Sequence, residues 1–162
     1  MSQYRIEIKW AIINAVVSML WFLGERIAGF HGKHLSEQAN ISLLLFFPII
    51  IIYFLGCIDK KRNFYKGDMT YLQGFLFGLR LTVYILILTP LTQFISSYVI
   101  SPDFFNRMID YSVQAGSLTM DQAKRQFSYG NFLFISILSE IITGVPIAAF
   151  VPIWTKSAKE RI

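Results

Sequence analysis

Four long apolar runs, over 9–30, 41–58, 71–98 and 130–155, take up more than half of this chain and dictate what it can fold into. A helix rises about 1.5 Å per residue and the hydrocarbon core of a bilayer is about 30 Å thick, so each run is long enough to cross once. Inside lipid every backbone N–H and C=O must find a partner within its own segment or a closed barrel, and unbroken runs of this length do so as helices. Composition agrees: 54% of residues are apolar and 15% charged, well below the roughly 25% charged of soluble domains. A free soluble domain and a disordered chain are both excluded. The expected fold is all-α, a single four-helix transmembrane domain over 1–162. The first run follows Arg5 and Lys9 as a signal peptide would. However, Glu25-Arg26 interrupts where a cleavage site should stand and three more spans follow, so it reads as a span. Cys57 is the lone cysteine, which rules out an intramolecular disulfide and fits a packing role.

Lysine and arginine counts set the direction of threading. Arg5, Lys9, Lys60, Lys61, Arg62, Lys66, Lys156, Lys159 and Arg161 make nine on one side; Lys33, Arg107, Lys124 and Arg125 make four on the other. The positive-inside rule then predicts cytoplasmic termini in a multi-pass inner-membrane protein. Trp10 and Trp154 fit one interfacial belt, Tyr98 and Tyr129 the other. The net charge of +5 follows from topology, so no nucleic-acid partner is expected. The lipid bilayer is the expected partner, with Lys60, Lys61, Arg62 and Lys66 at anionic headgroups.

The connection over 101–129 predicts structure of its own. Ser101 is placed to cap a helix starting at Pro102, with Asp103 in its first turn and Gly116 at its end. Phe104, Phe105, Met108, Ile109 and Val113 recur at helical spacing, leaving Asn106, Arg107, Asp110 and Gln114 to water. Thr119 and Gln122 read as a capping box opening a second short helix that runs into the last span. Together they predict an amphipathic helical hairpin between the third and fourth spans.

Ionisable groups at membrane depth are costly and so are candidates for function. Glu25, Arg80 and Glu140 qualify. Glu7, Asn14, Ser18 and Glu25 share one sector of the first helix, a stripe that should face protein. Glu25 and Glu140 lie at similar depth and read either as a proton or ion site or as structural groups satisfied by Asn14, Ser136, Thr143 or Arg26. Arg80 reads as snorkelling to the headgroups or as paired with Glu7 or Asp68; Arg26 belongs to the same ion-pair class. Gly74, Gly78 and Thr82 on the third helix, and Gly144 on the fourth, form small-residue faces for close helix packing. Pro48, Pro90 and Pro146 should bend their helices. His31, His34 and Glu37 fit a solvated loop better than a metal site, and neither metal nor cofactor is expected.

Over essentially its whole length the chain resembles the bacterial membrane family catalogued as domain of unknown function 4199. The resemblance is carried by the four spans, Gly74 and Gly78, Ser101-Pro102-Asp103-Phe104, Leu118-Thr119-Met120-Asp121, Gly144 and Lys156. It implies a helical inner-membrane protein and brings no activity, substrate or catalytic residue. No P-loop, Gly-x-Ser-x-Gly or His-Glu-x-x-His occurs, so no enzyme is expected. The leading expectation is a non-enzymatic four-helix bundle acting through helix contacts with itself or a partner, using Gly74, Gly78 and Thr82. The alternative is a small transporter or ion-conducting subunit using Glu25 and Glu140.

Overall fold

In the computed structural model, which describes residues 4–157, the long apolar runs are helices. Lys159 and Arg161, counted above for orientation, lie outside the described residues. The helices are α1 (Arg5–Ile27), α2 (Gln38–Leu43), α3 (Phe46–Asn63), α4 (Tyr71–Phe94), α5 (Phe104–Gln114), α6 (Met120–Gln126) and α7 (Tyr129–Thr155). A 3₁₀ turn, Leu35–Glu37, precedes α2, and a π-helical segment, Ile95–Ile100, extends α4. Four stretches are long and apolar enough to cross a membrane: Arg5–Ile27, Leu35–Asn63, Tyr71–Ile100 and Tyr129–Thr155.

Some boundaries differ from expectation, for local reasons. The second span reaches Asn63 because Asp59–Arg62 continue the helix, with Lys60, Lys61 and Arg62 favourably placed in its last turn. Residues 38–43 form a separate short helix, broken from α3 at Leu44–Leu45. Pro48 consequently lies in the first turn of α3, where its missing N–H opens no hydrogen bond. Pro90, Pro146 and Pro152 do lie inside helices. The connection folds as a helical pair, with two revisions. Asp103 rather than Ser101 is the N-cap of α5, without a side-chain bond, and α6 ends at Gln126 instead of continuing into α7. Gly116, at φ 67°, follows the end of α5, and the Thr119–Gln122 capping box forms.

The chain divides into two compact units. One comprises the chain up to Ala15, Phe46–Leu88 and the chain from Leu138; the other comprises Val16–Leu45 and Thr89–Ile137. In the first, α4 and α7 approach through their small residues. A Cβ on Gly78 would stand 2.6 Å from that of Ala148, one on Gly74 2.9 Å from Pro152, and one on Gly144 2.8 Å from both Thr82 and the Tyr53 hydroxyl. These faces are therefore filled from within the chain and are not free for a second copy. Tyr53 and Thr82 close the contact with a 2.7 Å hydrogen bond, and Cys57 is buried against the Thr155 hydroxyl at 3.1 Å. In the second unit Phe22, Phe104, Phe105 and Phe132 pack edge to face or tilted, and Gln93 on α4 donates to Ser136 on α7 at 2.7 Å.

Candidate functional site

The polar stripe of α1 is buried: Glu7 is 0%, Asn14 2% and Glu25 3% exposed. Its two carboxylates are dressed differently. In the first unit, Lys60 donates to both oxygens of Glu7 at 2.9 Å, and Arg80 stands 3.6 Å away. Arg80 also lies over the Tyr4 ring at 5.9 Å, so of its expected settings the one observed is the pair with Glu7. Lys60 corrects the headgroup expectation, for it is fully buried. Tyr53, Gly56, Cys57 and Lys60 recur at three- and four-residue spacing on the inner face of α3, whereas Arg62 and Lys66 are exposed. Lys61 donates to the carbonyls of Thr155 and Lys156, satisfying the end of α7.

Glu25, in the second unit, meets no Lys or Arg among the described residues and is held instead by an indole, a hydroxyl, an imidazole and a carboxamide. Trp21 Nε1 and Ser42 Oγ bind its Oε1 at 2.7 and 2.6 Å; His31 Nε2 and Gln38 Nε2 reach its Oε2 at 3.3 and 3.4 Å. These replace the expected partners Asn14, Ser136, Thr143 and Arg26. His31, expected in solvent, is only 3% exposed. The reversal begins at Gly29, whose φ of 89° lets the chain turn back at the end of α1, with Phe30 N–H bonding the Glu25 carbonyl and Gly29 N–H that of Arg26. Such a left-handed helix end favours glycine. The turn places His31 against Phe22 and Phe104, ring centroids 4.3 and 4.8 Å away, with Ser101 Oγ 3.0 Å from its Nδ1. With Glu25 ionised, Nε2 carries a proton and donates it to the carboxylate.

The π-helical segment supplies the other side of this site. Its end, where Ser101 N–H bonds the Ser96 carbonyl, leaves the Ile100 carbonyl to accept from Arg26 and Ser101 to meet His31. Beside His31 lies a cavity of about 500 Å³, lined among others by Arg26, Lys33, His34, Asp103 and Arg107. Glu140, halfway along α7 in the first unit, is half-buried and makes no hydrogen bond or ion pair with any described residue. Among the described residues no cluster of three or more His, Cys, Asp or Glu side chains is arranged to hold a metal ion.

Sequence reasoning found both glutamates of α1 but neither principal partner. The phase of Lys60 with Tyr53, Gly56 and Cys57, and the glycine stop between Glu25 and His31, were the available signals.

These features define an all-α, multi-pass membrane protein. A family model described as a protein of unknown function (DUF4199) matches residues 9–152, and the chain belongs to that family. No curated protein and no solved structure matches it.

Proposed function

We propose that this protein is a non-enzymatic inner-membrane protein that works through lateral contact with a second copy of itself, made on the face of α7 around Glu140. The supporting observation is the isolation of that carboxyl group. A glutamate in the middle of a 27-residue apolar helix is costly unless something bonds to it, and no described residue does. Ser139 and Thr143 flank it on the helix, and across a twofold axis two such carboxyls can share a proton and hydrogen-bond each other. The glycine faces of α4 and α7 are already spent inside the chain, which moves the contact to Glu140. Both termini are assigned to the cytoplasm on the strength of the nine-to-four distribution of Lys and Arg.

Molar mass in mild detergent tests the reading. The wild type is expected to be a dimer, Glu140→Gln to keep most of it, and Glu140→Leu to be monomeric. A wild type that is strictly monomeric in detergent and in nanodiscs would remove the proposal. The rival reading, a proton- or cation-conducting subunit built on Glu25 and Glu140, has less support. The two residues belong to different units, and Glu25 is satisfied within its own.

A further inference from the structure

The cavity beside His31 is strongly unbalanced in charge. Arg26, Lys33 and Arg107 line it against a single carboxylate, Asp103. That carboxylate is 3.9 Å from Arg107, with both side chains exposed, which makes a weak pair. Lys33 has no ion pair with a described residue. Arg26 gives one N–H to the Ile100 carbonyl, and a guanidinium carries five.

Two further observations set this cavity apart from an ordinary solvated loop. The connections following the first and third spans hold only four Lys and Arg, and two of those, Lys33 and Arg107, line this one cavity with Arg26. Threading direction does not explain cations gathered on the cation-poor side. In addition, α5 starts at its rim, with Asp103 and Arg107 in the wall, so the positive end of the helix dipole lies toward the cavity. The loop leaves space for the guanidinium: a Cβ on Gly32 would stand 2.9 Å from Arg107 Nη1.

We propose that this cavity binds a phosphate group, carried by a lipid headgroup or by a soluble phosphate ester. Guanidinium forks and an ammonium match a tetrahedral dianion better than a carboxylate, whose two oxygens leave one cation unanswered. A space of about 500 Å³ exceeds what inorganic phosphate fills and suits a phosphate with an organic substituent. Ile27 and Ala28 in the wall supply the apolar contact. The site shares no residue with the Glu140 face and holds whether or not the protein dimerises.

The test titrates the unfolding midpoint of the purified full-length protein in detergent with glycerol phosphate at constant ionic strength. Nanodiscs containing phosphatidic acid are compared with nanodiscs of phosphatidylcholine alone. A saturable rise is expected, with Lys33→Gln and Arg107→Gln each weakening binding by about tenfold and Lys124→Gln leaving it unchanged. Response to glycerol phosphate assigns a soluble ester; response only to phosphatidic acid assigns a headgroup. No saturable response to either, an equal response to acetate, or an equal loss in Lys124→Gln would overturn the site.

Discussion

Glu7 and Glu25 stand on one face of one helix, both almost fully buried, yet the chain treats them oppositely. Glu7 meets full charges, with the Lys60 ammonium on both oxygens and Arg80 behind it. Glu25 meets an indole, a hydroxyl, a carboxamide and an imidazole, with an open cavity alongside that imidazole. The difference shows that position in a polar stripe fixes burial and leaves the role to what the other helices bring. A carboxylate cancelled by a fixed cation is closed to further chemistry. One held without Lys or Arg leaves the neighbouring Lys and Arg of its unit for something else.

The sharpest way to break this contrast is at Lys60. Lys60→Met leaves Glu7 buried with, among the described residues, only the looser Arg80, and removing one partner of a buried pair costs about 3–5 kcal/mol. The unfolding midpoint in detergent should fall accordingly. Adding Glu7→Leu should restore most of the loss, because the uncancelled charge goes with it. If Lys60→Met alone is neutral, water reaches Glu7 and the two centres differ less than their geometry indicates.

A smaller effect is expected at the second centre. His31→Ala deletes one donor to Glu25 and the ring partner of Ser101, leaving the other three donors in place. Loss of one partner from a buried polar group costs about 1–3 kcal/mol. Denaturation of this variant beside Lys60→Met ranks the two centres directly. A cost equal to that of Lys60→Met would show that Glu25 and His31 also form a full ion pair, and the contrast would go.

Much of this was legible in the sequence, for identifiable reasons. The spans, the buried stripe of α1, the α5–α6 pair and the glycine face of α4 all rest on periodicity within one segment, and periodicity survives folding. What was missed depends on two segments at once. Lys60 reads as one of a run of cations at a helix end, and only its phase on α3 turns it inward toward Glu7. His31 reads as loop until Gly29 folds the chain back and the π-helical segment brings Ser101 to meet it. Pro48 lies inside the second span as the apolar run indicates, and only the break before Phe46 puts it in a first turn.

The glycines extend the comparison to its smallest effect. Gly78 of the first unit has no space for a methyl, since a Cβ there would lie 2.8 Å from the Cα of Ala148 as well as 2.6 Å from its Cβ. Gly24, in the second-unit part of α1, would place a Cβ in open space, with nothing within 4 Å. Inside a helix glycine is about 0.5–1 kcal/mol worse than alanine because more backbone freedom is lost on folding. Gly24→Ala should therefore raise the unfolding midpoint slightly in detergent. The same substitution in nanodiscs carries the sharper information. If it stabilises there too, lipid alone covers that face; if it destabilises only in the bilayer, Gly24 is where another helix approaches, and the second unit has a packing face of its own to set against Gly74 and Gly78.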